Sequence, residues 1–137
     1  DNPVLEDRRS RFAVDKTIAI FSLPGLRTVY QMLSNIKTKL CKKTESEKGV
    51  VYEVHGCYFI ISRELYNAMI DRPFKAFMYS EEAYVAEIVY ANGKKSVFDP
   101  SLRVNHDEHS VTGSLKYKTI ARHIRDSMKY IKQEFYK

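Results

Sequence analysis

Two stretches of this chain repeat apolar residues at helical spacing. Leu26, Val29, Tyr30, Leu33, Ile36 and Leu40 form one stripe, with Arg27, Gln31, Lys37, Lys39 and Lys43 falling largely outside it, which predicts an amphipathic helix. Ile120, Ile124, Met128, Ile131 and Phe135 form another, with Lys118, Arg122, Arg125, Lys129 and Lys132 on nearly the opposite face, which predicts a long amphipathic C-terminal helix. Between them the pattern is shorter. Ser62 reads as an N-cap for a helix over Arg63 to Ile70, stopped by Asp71-Arg72-Pro73, and Ser80 as an N-cap for a helix over Glu81 to Asn92, closed by Gly93. Thr17 to Phe21, Val50 to Val54, Gly56 to Ile61, Ser96 to Phe98 and Leu102 to Val104 read as short strands, with Gly56 marking a bulge or a close approach of backbone to a ligand. Leu23-Pro24-Gly25 is a break, Lys42 to Gly49 a charged loop, Phe74 to Ser80 an aromatic loop and Asn105 to Gly113 a polar loop. The expected fold class is α/β: a short mixed sheet flanked by helices.

The chain length, 137 residues, suits one domain, here divided into a leading segment and helix (1–49), a central region (50–112) and a basic helix (113–137). Its formal net charge is +6, and the segment from Gly113 to Lys137 carries seven Lys/Arg against two Asp/Glu, or +5 of that excess. Such a balance suits an anionic partner without choosing among nucleotide, nucleic acid and membrane surface. Cys41 and Cys57 are too few for a disulfide scaffold and fit buried thiols in a reducing compartment. No apolar run approaches the roughly 20 residues that span a bilayer, and the opening Asp1-Asn2-Pro3-Val4 reads as the start of an excised piece of a longer protein.

Three constellations carry candidate chemistry. Glu81-Glu82 stands at a predicted helix N-terminus, where the helix dipole favours carboxylates. The pair either caps the helix or turns one carboxylate into a cleft as a general base. Asn105-His106-Asp107-Glu108-His109 is either a solvated loop or a metal-binding one, and one His with oxygen ligands suits Mn²⁺ or Mg²⁺ better than structural zinc. The basic C-terminal helix is either a solvated face or a contact for anionic lipid headgroups. No glycine-rich phosphate loop, nucleophile elbow or Cys-x-x-Cys occurs.

Residues Val50 to Thr112, taken in order, resemble the second half of the family 2 inverting glycosyltransferases, rhamnosyltransferase-like enzymes of polysaccharide assembly with the GT-A fold. The likeness runs through Gly56-Cys57-Tyr58-Phe59-Ile60-Ile61-Ser62-Arg63-Glu64, then Phe77-Met78-Tyr79-Ser80-Glu81-Glu82, Asn92-Gly93, Val97-Phe98, Pro100-Ser101 and Val104-Asn105-His106, and ends at Glu108-His109-Ser110-Val111-Thr112. It implies Glu82 as the general base, supported by Glu81, with Gly56, Arg63 and Tyr79 on the acceptor side and His106 toward the metal or diphosphate. Glu82 stands where the family more often has Asp, and Tyr84 where Asp is common.

The resemblance further implies a nucleotide-sugar donor, a saccharide or lipid-linked acceptor, and Mn²⁺ or Mg²⁺ in the intact enzyme. The expected location is cytoplasmic, peripheral at the inner face of a bacterial cell membrane, with Lys118, Arg122, Arg125, Lys129 and Lys132 facing the lipid. Nucleic acid is not an expected partner, and homo-oligomers are allowed. The family's Asp-x-Asp motif is absent from this sequence, so the chain alone is expected to be inactive and to bind no metal. The competing reading is a small basic, non-catalytic binding module for RNA or an anionic membrane.

Overall fold

The computed structural model describes residues 7–40, 47–105 and 115–137. In chain order the elements are α1 (Arg11–Ser22), α2 (Pro24–Leu40), β1 (Gly49–Val51), α3 (Arg63–Asp71), α4 (Glu81–Ala91), β2 (Ser96–Phe98) and α5 (Tyr117–Phe135). The described residues are rich in α-helix, with one small sheet among them. That sheet is a single antiparallel pair, with Gly49 opposite Phe98, Val50 opposite Val97 and Val51 opposite Ser96. The mixed sheet expected from the sequence is therefore corrected to two antiparallel strands. No helix among the described residues is long and apolar enough to cross a membrane.

The core forms around α4. Every residue from Ala83 to Val89 is buried, so this helix is enclosed on all sides, the pattern of a central helix and not of a surface one. Val14 of α1, Leu65 of α3, Tyr84 and Ile88 of α4, and Met128 and Ile131 of α5 pack into one cluster. The helix starts are set locally: the Ser10 hydroxyl accepts from the Ala13 N–H at 3.1 Å, and the Ser62 hydroxyl from the Leu65 N–H at 3.2 Å. Gly93 follows α4 at φ +64°, a left-handed conformation in which glycine avoids the Cβ penalty.

Several strands expected from the sequence are not strands. Thr17 to Phe21 lies within α1. Its β-branched residues favour a strand in isolation, but the Ser10 cap starts a helix whose Val14 and Ile18 meet the core. The expected break narrows to Leu23, the extended C-cap of α1, and Pro24 opens α2, because its fixed φ and missing N–H suit a first helical position. The Val50 to Val54 strand shrinks to β1, whose partner β2 is only three residues long. Gly56 to Ile61 and Leu102 to Val104 are irregular. Among the described residues neither has a neighbouring strand, and Tyr58, Phe59, Ile60, Leu102 and Val104 are exposed; without cross-strand hydrogen bonds, strand propensity has nothing to act through. The loop carrying His106, like Cys41, lies outside the described residues.

Burial predicts contrasting mutational costs. Ile88→Ala, at a fully buried position, should destabilise the chain by about 2–5 kcal/mol. Met32→Ala, on an exposed face of α2, should shift stability by less than about 0.5 kcal/mol. Urea unfolding with an unchanged m-value reads both.

Candidate functional site

The loop before α4 is fixed by three hydroxyls from the helices around it. Ser127 of α5 donates to the Met78 carbonyl at 2.9 Å, Tyr130 of α5 to the Pro73 carbonyl at 3.1 Å, and Tyr84 of α4 to the Arg72 carbonyl. So held, the chain enters α4 through two successive left-handed residues, Tyr79 (φ 68°) and Ser80 (φ 65°). Non-glycine residues adopt this conformation at a cost and keep it only where the surroundings enforce it. Ser80 occupies the N-cap position but makes no side-chain capping bond there, which corrects its expected role. The Tyr79 N–H instead donates to Glu81 Oε1 at 2.9 Å. Glu81 is thereby turned back onto the loop, and Glu82 is the carboxylate of the pair that faces the protein.

Glu82 meets Gly56. A Cβ built on Gly56 would lie 3.0 Å from Glu82 Oε2, so the glycine leaves room for the carboxylate where any side chain would crowd it. Burial raises the Glu82 pKa, and the nearby negative charges of Glu53 and Glu81 add to that, against the opposing pull of its own backbone N–H and of Arg9. Among the described residues no cation forms an ion pair with Glu82. Arg9 is committed to Glu53: its Nη2 donates to Glu53 Oε1 at 2.8 Å and its Nη1 to Glu53 Oε2. Burial works against the Arg9 cation, but Glu53 outweighs it and holds the pKa above the ordinary value. The arrangement is thus one neutralised carboxylate, Glu53, beside one partly desolvated and unpaired carboxylate, Glu82. A group of the second kind is a stronger base than an exposed glutamate, and so better matched to accepting a proton near neutral pH.

The preceding residue, Arg8, anchors a second network. Its Nη2 donates to Glu87 Oε2 at 2.8 Å and its Nε to the same oxygen at 3.2 Å, while Tyr52 donates to Glu87 Oε1 at 2.6 Å and Tyr136 donates to that oxygen too. The guanidinium also donates to the Phe135 carbonyl and lies over the Tyr90 and Tyr136 rings, 4.3 and 4.6 Å from their centres. Burial first, then the Glu87 carboxylate, raises the Tyr52 pKa and pushes that of Tyr136 up to about 12. Beside this network a cleft of about 350 Å³ runs between β1 and α4, lined by Val51, Tyr52, Ala86, Tyr90, Lys94 and Lys95 among others. Ala86 follows Glu82 by one helical turn, so the cleft wall and the carboxylate share a face of α4.

Of the residues singled out in the sequence, Gly56 and Glu82 are in contact, with Glu81 and Tyr79 in the adjoining turn. Arg63 is exposed at the first turn of α3 and forms no ion pair with Glu82. His106 lies outside the described residues. On α5, Lys118, Arg122 and Lys129 are exposed, whereas Arg125 pairs with Asp126 at 2.8 Å and Lys132 with Asp15 of α1 at 2.5 Å. Among the described residues no group of three or more His, Cys, Asp or Glu could hold a metal ion. Arg8, Arg9, Glu53 and Glu87 were missed. Their sequence signals are a run of arginines and acids set among apolar neighbours, Glu53 after Val51-Tyr52 and Glu87 between Ala86 and Ile88. No known protein family, curated protein or solved structure matches this chain.

Removing Glu87 should be the more damaging change. Glu87→Ala leaves the Arg8 charge and two buried hydroxyls without their acceptor and should cost about 3–5 kcal/mol in urea unfolding, with Glu87→Gln falling between it and wild type. Glu82 should behave oppositely. Its raised pKa means the folded state holds the proton more tightly than the unfolded chain. The stability due to this group is complete below the ordinary carboxylate value and is lost as pH rises through the raised one. Glu82→Gln should therefore melt above wild type at about pH 8, and the gap should close by about pH 4. An unchanged gap across that range would mean that Glu82 is not a desolvated carboxylate.

Proposed function

We propose that this chain is the acceptor-side portion of an inverting, nucleotide-sugar-dependent glycosyltransferase of the family 2 type, with a GT-A-like fold, acting in surface polysaccharide assembly, and that Glu82 is its general base. The observation that supports the reading best is the meeting of Gly56 and Glu82. The resemblance assigns the first to the acceptor side and the second to the base, and the two are in contact. Glu82 is partly desolvated and has no ion pair among the described residues, which suits a proton acceptor for a sugar hydroxyl. In the reaction, a Glu82 oxygen takes the proton of an acceptor hydroxyl as that oxygen attacks the anomeric carbon. The bond to the nucleotide diphosphate breaks on the opposite face, so the anomeric centre inverts. Arg9 pairs with the neighbouring Glu53, which leaves Glu82 as the carboxylate without an ion pair among the described residues.

No step assigned here to the described residues uses a metal; Mn²⁺ or Mg²⁺ would belong to the intact enzyme. The nucleotide-binding half lies outside it, so the isolated chain transfers no sugar. In this reading the enzyme works at the cytoplasmic face of a membrane carrying a lipid-linked acceptor.

The test is sugar transfer by the full-length protein that contains this chain, with Mn²⁺ or Mg²⁺ supplied. Glu82→Gln should lower kcat by about 10²–10⁴-fold. Gly56→Ala, whose new methyl displaces the Glu82 carboxylate, should lower it less while leaving the fold intact. Equal turnover in wild type and Glu82→Gln would leave Glu82 as a helix-terminal charge. No turnover with any sugar nucleotide would favour the small basic binding module instead.

A further inference from the structure

We infer that the apolar face of α2 is the surface by which this chain binds an anionic lipid bilayer. Leu26, Val29, Tyr30, Met32 and Leu33 are between 45% and 64% exposed, although their spacing is that of a core-facing stripe. Leu23, immediately before α2, is exposed as well. The helix leans on α1 through the Phe21–Tyr30 ring contact, and Arg27 lies over the Tyr117 ring, but Leu26, Val29, Met32 and Leu33 remain exposed. The C-terminal helix, the more basic of the two, is differently placed. Met128 and Ile131 of α5 are buried in the core, and Lys132 is paired with α1, so α5 has no free apolar stripe to offer a membrane.

Charge selects the occupant. Over α2 itself, Pro24–Leu40, the sequence holds three cations, Arg27, Lys37 and Lys39, and no acid. A second copy of this chain laid face to face on α2 would bring two such segments together and be repelled. A bilayer with anionic headgroups meets both halves of the pattern: its acyl boundary accepts the Leu, Val and Met side chains, and its phosphates attract the cations. At 17 residues α2 is about 25 Å long and would lie in the plane of the interface. This inference is independent of the catalytic reading, since vesicle binding requires no turnover.

The test uses the 137-residue chain with vesicles of phosphatidylcholine alone or with phosphatidylglycerol added. The sequence contains no Trp, so Met32→Trp gives a reporter free of background. Flotation with the anionic vesicles and a blue shift of that emission are expected, both weakened by salt. Val29→Glu combined with Leu33→Glu should lower partitioning at least about tenfold. Arg122→Glu combined with Lys129→Glu on α5 should change it only a few-fold. Both positions in the α2 variant are exposed, so its circular dichroism should match wild type; if it does not, the Met32→Trp emission decides. Binding that ignores lipid charge, or that is lost in the α5 variant and kept in the α2 variant, would overturn the inference. A lipid-free dimer abolished by Leu33→Glu would do so too, by making a second copy the occupant.

Discussion

Glu87 is a carboxylate at 1% exposure in the middle of the most buried helix of the chain, and much of the remaining structure follows from how that charge is accommodated. An ionised carboxylate withdrawn from water is costly unless it is paired and its lone pairs are used. Here Arg8 supplies the charge and Tyr52 and Tyr136 supply the hydroxyls. Those three groups come from the segment before α1, from the residue after β1 and from the end of α5. One acid thus ties together parts of the chain that no stretch of local sequence would hold. An apolar residue at this position could pack as tightly, but it would not specify which three segments must converge.

The candidate site depends on that convergence. Arg8 and Arg9 are consecutive, and with Arg8 fixed on Glu87 the neighbouring guanidinium is delivered to Glu53. Glu53 is then ion-paired beside Glu82, which has no ion pair among the described residues. The strained turn at Tyr79 and Ser80 acts from the other side. It is held by hydroxyls from α4 and α5, and it diverts Glu81 onto the loop. Two adjacent glutamates of the same chemistry are thereby separated into a loop contact and a partly desolvated group, by geometry that neither residue controls.

The two amphipathic helices show the same division. Both α2 and α5 carry an apolar stripe and a basic complement. The stripe of α5 is used in the core, and two of its five singled-out cations are paired. On α2 the described members of the stripe, Leu26, Val29, Tyr30 and Leu33, remain exposed. Amphipathicity in a sequence marks a helix that must cover one face; it does not name the cover. Which helix is left with an open face is decided by packing space alone.

The sequence by itself determined the elements that local interactions can close: α2, α3 under its Ser62 cap, α4 with Gly93 behind it, and the long C-terminal helix. It also marked Gly56, Glu81 and Glu82 as residues of interest. It misread Thr17 to Phe21 and Gly56 to Ile61, because a β-branched or aromatic run becomes a strand only when another strand pairs with it, and pairing is a long-range event. For the same reason the sequence could not show that Gly56 touches Glu82, or that Arg8 and Arg9 reach Glu87 and Glu53. Those contacts join residues 26 to 79 positions apart. Only the tertiary structure decided them, because the energy of a buried charge depends on what surrounds it in space, and the order of residues along the chain leaves those surroundings open.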